Sequence, residues 1–346
     1  MFIYIVIGLV LLTFGADWLV RGASRLATRF GISPLIVGLT VVAFGTSAPE
    51  LAVSVQAAWN GVGDIAVGNV LGSNIFNVLV ILGLSALVIP LVVSRQLVRL
   101  DVPVMIGASV MVFVLALDQQ LSRMDGAILF TAVVLYTAYL IRKSRRERPT
   151  EDPEEQDTSS PMRNLFLIAL GLALLVAGSQ ALVTGATELA KALGLSDLVI
   201  GLTIVAVGTS LPELATSVVA AFKGERDIAV GNIVGSNIFN LLVVLGLASL
   251  VSPTAISVSP NALATDFPVM LAVAVVCLPV FFAGYTVSRL EGAVFFAYYV
   301  AYVAYLVLFS TNRAQAPMLA DAVLHYALPV TALWILFSAA RAFKRA

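Results

Sequence analysis

The chain has 346 residues, of which 60% are hydrophobic and 12% charged, against about 25% charged residues in an ordinary soluble domain. With a mean hydropathy of +1.00, most of the surface must be solvated by a bilayer, which excludes a secreted enzyme or a disordered chain. Twenty basic and twenty acidic residues leave no excess charge for a nucleic-acid partner. One cysteine (Cys277) and one histidine (His325) exclude a disulfide framework and leave any metal chemistry to oxygen ligands.

Spanning the hydrocarbon core takes about 20 mostly apolar residues. Eleven segments qualify, at 2–24, 34–58, 66–90, 102–118, 126–142, 164–187, 197–222, 229–252, 267–285, 292–310 and 319–340. The first lacks a basic lead-in and a small-residue cleavage site, so it is expected as a retained helix. With the N-terminus outside, the inner loops collect 17 of the 20 Lys and Arg residues and the outer side keeps 3 (Arg123, Lys191, Arg313). The C-terminus then lies inside. Short loops suggest a multi-pass protein of a prokaryotic plasma membrane.

Self-similarity is the main signal. Residues 38–50 read GLTVVAFGTSAPE and residues 201–213 read GLTIVAVGTSLPE, with 10 of 13 positions matching at an offset of 163. Residues 64–79 (DIAVGNVLGSNIFNVL) and 227–242 (DIAVGNIVGSNIFNLL) match at 13 of 16 positions with the same offset. Each half holds five spans, an odd number, so the second half begins on the opposite side of the membrane and the repeats are inverted. The expected fold is an all-α membrane protein: two inverted five-helix halves (1–142 and 164–310) with broken helices at the midplane. A cytoplasmic linker (143–163) joins them, and one additional C-terminal transmembrane helix with a basic tail (311–346) follows. The polar, acidic and proline-containing linker reads as a solvated loop.

Carboxylates at bilayer depth cost about 2.5–3.5 kcal/mol each and are functional by default. Glu50 and Glu213 sit well inside apolar spans, at the same position of the two repeats. Each follows a Gly-Thr-Ser-x-Pro element, Gly45–Pro49 and Gly208–Pro212. Proline lacks the backbone donor and clashes with the preceding turn. Spans 2 and 7 are therefore expected to break there, with Pro49 and Pro212 as the first residue of the second half-helix. Irregular backbone at this depth must line a cavity or be buried in protein. Carbonyls freed at the break are cation ligands, as are the hydroxyls of Thr46, Ser47, Thr209 and Ser210. In spans 3 and 8, Ser73 and Asn77, and Ser236 and Asn240, are four apart and share a helix face. Asn74 and Asn237 lie on other faces and either brace the bundle or bind cations. Two carboxylates, two amide oxygens, hydroxyls and carbonyls can supply the six to eight oxygens at about 2.3–2.6 Å that calcium takes, and their charge matches one Ca2+. Gly68/Gly72 and Gly231/Gly235 have the small-xxx-small spacing of close helix packing. Asp17 is expected to pair with Arg21 one turn on. Asp64, Asp227, Asp101 and Asp266 read as helix caps.

GTSAPE and GTSLPE, each followed by a GNxxGSNIFN stretch, resemble the two repeats of the cation/calcium exchanger superfamily, and most closely its prokaryotic sodium/calcium antiporter branch. The resemblance covers about residues 1–310. It implies a ten-helix core, sodium-driven calcium exchange and alternating access by sliding of the long helices of spans 1 and 6. It also implies ion ligands at Glu50, Glu213, Asn77, Asn240, Ser73, Ser236, Thr46, Ser47, Thr209 and Ser210, with backbone carbonyls at Ala43 and Ala206. Relatives carry an aspartate where this chain has Asn240, so the site here is symmetric with one carboxyl group fewer. The eleventh span is a second departure.

Calcium/sodium antiport is thus the expected activity, with transported Ca2+ and Na+, the bilayer as surroundings, and no cofactor, nucleic acid or obligate protein partner. A calcium/proton antiporter using the same two glutamates is the alternative. A cation channel fits poorly, since channels ring a pore with repeated subunits. An intramembrane metalloprotease lacks an HExxH motif.

Overall fold

Long apolar runs closed at their ends by glycine, proline or charge fold as helices, and the computed structural model is a helical bundle. It describes residues 1–146, 160–193, 204, 206–311 and 315–343. The helices are α1 (Phe2–Phe30), α2 (Pro34–Thr46), α3 (Ala48–Trp59), α4 (Gly63–Val88), α5 (Leu97–Asp118), α6 (Arg123–Arg146), α7 (Pro161–Ala192), α8 (Leu211–Phe222), α9 (Arg226–Val251), α10 (Ala262–Phe282), α11 (Arg289–Thr311) and α12 (316–343). Among the described residues nine helices are long and apolar enough to cross a membrane, and the bent pair α2–α3 makes a tenth span. The short α8 is the second half of the seventh expected segment. Most of that segment's first half lies outside the described residues, as does the linker from 147 to 159.

The two halves are related by reciprocal contacts. Helices α1 and α7 run antiparallel along a glycine seam. A Cβ on Gly15 would lie 2.8 Å from the Gly171 carbonyl oxygen, and one on Gly171 would lie 2.7 Å from that of Gly15. Gly8 and Gly178 exclude a Cβ in the same reciprocal way, at 2.9 and 3.0 Å. Only glycine permits so close a backbone approach, and in lipid such packing replaces the missing hydrophobic drive. Two short antiparallel ladders repeat the symmetry at the loops: Leu91–Val92 pairs with Thr286–Val287, and Gln120–Leu121 pairs with Ile256–Ser257. Each joins the loop after the third span of one half to the loop before the fifth span of the other.

Several expectations shift in detail. The second half-helix starts one residue earlier than expected: Ser47 and Ser210 stand at the cap position, Ala48 and Leu211 open the helices, and Pro49 and Pro212 come second. Proline is tolerated there because its missing N–H falls among the unpaired donors of the first turn. The break between α2 and α3 is a 47° bend at Ser47 alone. Asp101 and Asp266 are not caps. Their helices begin four residues earlier, in wide turns over Leu97–Asp101 and Ala262–Asp266 that precede Pro103 and Pro268. Asp101 is fully buried, accepting hydrogen bonds from the Tyr136 hydroxyl (2.9 Å) and Gln96 Nε2 (3.2 Å); Asp266 accepts one from Tyr302 (2.8 Å). These acids brace the fourth span of each half to the fifth. Asp64 and Asp227 lie in the first turns of α4 and α9, while the cap positions belong to Val62 and Glu225. Asp17 pairs with Arg21 at 2.9 Å as expected. Gly231 and Gly235 pack tightly on Leu35, Gly38 and Leu39. The residues that symmetry sets against Gly68 and Gly72 lie mostly outside the described residues.

Candidate ion site

Helices α3 and α8 start at the centre of the bundle, each from a Ser-x-Pro-Glu corner. Such a Ser-x-x-Glu sequence ordinarily folds back on itself as a capping box. Here neither serine caps its own helix. The corners exchange partners instead: Ser47 Oγ donates to Glu213 Oε1 at 2.9 Å, and Ser210 Oγ donates to Glu50 Oε1 at 2.8 Å. Each carboxylate is thus held by the other repeat, and the two lie within electrostatic reach of each other. Both glutamates are fully buried. The positive ends of the two half-helices help to stabilise charge there.

Helices α4 and α9 form the walls. Asn77 and Asn240 each open a turn of wider, π-helical pitch, Asn77–Leu82 and Asn240–Val244, a feature common at functional sites. Asn77 Nδ2 donates to Asn237 Oδ1 (3.0 Å), and Asn240 Nδ2 donates to Asn74 Oδ1 (3.2 Å). Asn74 and Asn237 in turn direct their own amide protons to Met270 and Met105. These bonds use one donor each of Asn77 and Asn240. What remains is a symmetric set of buried acceptors without partners: Glu50 Oε2, Glu213 Oε2, Asn77 Oδ1 and Asn240 Oδ1. A buried oxygen without a donor costs about 1–3 kcal/mol, more when charged. Four such oxygens, two on the exchanged corners and two on the walls, are the chemistry of a cation site.

The sequence of the sodium/calcium exchanger protein family matches this chain over residues 1–142 and 163–308. The chain belongs to that family. It is 42% identical over 276 residues to the putative antiporter CaxA of Alkalimonas amylolytica, covering 78% of this chain and 86% of that one. It is 33% identical over 344 residues to the sodium/calcium exchanger MaX1 of Methanosarcina acetivorans, covering 88% and 98%. The solved structure of the sodium-calcium exchanger NCX_Mj superposes with a TM-score of 0.75 at 31% identity, covering 88% of this chain and 97% of that one. Membership makes the chain a multi-pass membrane transporter rather than an enzyme.

The expected site residues take different roles from one another. Ser73 Oγ takes part with Ser210 in the bond network around Glu50 (3.0 Å), whereas Ser236 Oγ is buried without a partner. Thr46 and Thr209 direct their hydroxyls to Asn232 Oδ1 (3.1 Å) and Asn69 Oδ1 (3.3 Å). The Ala43 carbonyl accepts the Ser47 N–H at 3.0 Å and so belongs to the helix it closes. Ala206 opens the short turn Ala206–Gly208. The Gly208 carbonyl, which Pro212 cannot serve, accepts a hydrogen bond from Ser179. Among the described residues no three His, Cys, Asp or Glu side chains form a group that could hold a metal ion.

Asn69 and Asn232 were missed from sequence. Asn69 Nδ2 donates to the Glu50 carbonyl (3.2 Å) and to Ser54 (2.9 Å); Asn232 does the same for Glu213 (3.4 Å) and Ser217 (2.9 Å). They stitch the first turn after each break to the neighbouring wall. The signal was present: each asparagine is duplicated within the repeat and lies four residues before Ser73 or Ser236 on the same face. Most of the site's side chains are buried, and Asn69 and Thr209 are half-buried.

Proposed function

We propose that this protein exchanges calcium for sodium across a membrane by alternating access, and that Glu50, Glu213, Asn77 and Asn240 form the core of the ion shell. The observation that carries this reading is the symmetric set of four buried, unpartnered oxygens. Two carboxylates balance one Ca2+, and amide oxygens, hydroxyls and waters can complete its flexible shell; magnesium, with its tight octahedron, fits less well. Ser47, Ser210, Ser73 and Ser236 serve as further ligands, while Thr46 and Thr209 act by fixing the asparagine braces. Sodium is the proposed counter-ion, since proteins named as sodium/calcium exchangers are 31–33% identical across 88% of the chain. In this reading residues 1–142 and 164–310 are the two inverted repeats, whose first spans slide over the rest, the linker 143–163 is cytoplasmic, and the protein lies in a prokaryotic plasma membrane with its N-terminus outside.

Calcium uptake into sodium-loaded proteoliposomes tests the coupling. Dissipating the sodium gradient should abolish uptake, and a protonophore should leave it intact. Uptake that stops with the protonophore and ignores sodium would assign protons to the same glutamates instead.

The asparagine braces carry a smaller expectation. Asn69→Ala and Asn232→Ala should each weaken calcium binding by about 10-fold without unfolding the protein, the scale seen when groups that orient ligands are removed. Isothermal titration of the purified variants measures this; unchanged affinity in both would make the braces purely structural.

A further inference from the structure

In an inverted repeat the two end states of alternating access exchange the roles of the halves. A contact that the second half makes in one state is made by the first half in the other. Polar contacts join the antiparallel pair α1/α7 to the second half's broken span and to the loop that follows it. Lys223, which follows α8, pairs with the Asp17 carboxylate on α1 and donates to its backbone carbonyl at 3.2 Å. Ser24 Oγ on α1 donates to Glu225 Oε1 at 2.6 Å. Ser179 Oγ on α7 donates to the Gly208 carbonyl at the break itself.

Shifting each pair by the repeat offset of 163 names the contact available to the opposite state. Asp17–Lys223 becomes Gln180–Asn60, a neutral pair. Ser24–Glu225 becomes Thr187–Val62, which has no acceptor side chain. Ser179–Gly208 becomes Ala16–Gly45, which has no hydroxyl. The ion ligands are matched between the halves at Glu50/Glu213 and Asn77/Asn240, and these contacts are not. From this mismatch we infer that Asp17, Ser24, Ser179, Lys223 and Glu225 form a state-specific latch that favours the conformation seen here over its mirror state. When α1 and α7 slide against α8 these contacts break, and the symmetry-related positions offer no ion pair, no acceptor side chain for Thr187 and no hydroxyl at residue 16. The inference rests on the alternating-access reading above and adds to it an unequal balance between the two states, set away from the ion site.

The full-length protein in lipid bilayers, with Trp59 and Leu193 replaced by spin-labelled cysteines, reports the balance as a distance distribution without needing transport. Both positions are exposed, at the ends of α3 and α7, and the native Cys277 is buried. Losing one buried hydrogen bond should raise the minor distance population about fivefold in Ser179→Ala. Asp17→Asn should move it in the same direction. Ala16→Ser supplies the missing hydroxyl to the mirror state, so it should also raise that minor population, although it adds a bond where Ser179→Ala removes one. A merely structural role for these residues gives no reason for the two variants to agree. Two populations that respond to Ca2+ and Na+ in the parent but are unmoved by the variants, or moved in opposite directions by Ser179→Ala and Ala16→Ser, would overturn the latch while leaving alternation standing. A single distance in every variant and every ion condition would overturn both.

Discussion

Glu50→Gln and Glu213→Gln are each expected to end calcium transport while leaving the protein inserted and folded. Glutamine keeps the shape and one acceptor of each side chain, and Ser210 or Ser47 can still donate to it. What goes is one of the two charges that face the ion in a fully buried site. Removing one member of a buried charge pair costs about 3–5 kcal/mol, or about 100- to 1,000-fold or more in affinity. An empty site with fewer uncompensated charges is no less stable than the parent, so thermal unfolding should be unchanged or shift upward. Proteoliposome flux and a melting curve on the same preparations separate the two effects. Because the corners exchange their serine partners, the two variants should fail alike. A variant that transports calcium normally would remove its glutamate from the site.

Asn240 carries the second large expectation. Asn240→Leu deletes one of the four free oxygens and also strips Asn74 Oδ1 of its donor, so two buried polar groups are affected by one substitution. Calcium affinity should fall about 10- to 100-fold, with a modest loss of stability from the unpaired amide. Asn240→Asp is the informative companion. It keeps an oxygen at the position and raises the carboxylate count from two to three, which favours a divalent over a monovalent ion. It cannot donate to Asn74, whose amide must turn to meet it. Competition of sodium against calcium binding should therefore weaken in Asn240→Asp, and the fold should persist. Equal calcium affinity in Asn240→Leu and the parent would contradict a ligand at this position.

Much of this architecture was legible in the amino-acid order. Runs of about 20 apolar residues located the helices, because the bilayer allows little else. The duplicated Gly-Thr-Ser-x-Pro-Glu located the breaks, because proline removes a backbone donor and a buried acid needs a purpose. Helical spacing put Asn77 and Ser73 on one wall. Contacts between distant residues on oppositely directed helices were not legible. Nothing local says that Ser47 serves Glu213 rather than its own helix, that Thr46 turns to Asn232, or that Tyr136 reaches back to Asp101. Sequence symmetry also concealed an asymmetry. Ser179 and Ala16 occupy the same place in the repeats, and only the close approach of α7 to the break after Gly208 gives the difference a meaning.

The central claim is that one calcium ion is held between the halves by oxygens from four symmetry-related side chains. Diffraction from crystals grown with calcium, recorded where its anomalous scattering is measurable, tests this most directly. One anomalous peak is predicted within about 2.3–2.6 Å of the Glu50, Glu213, Asn77 and Asn240 oxygens. A peak bound elsewhere, with those four oxygens engaged only with protein groups, would contradict it.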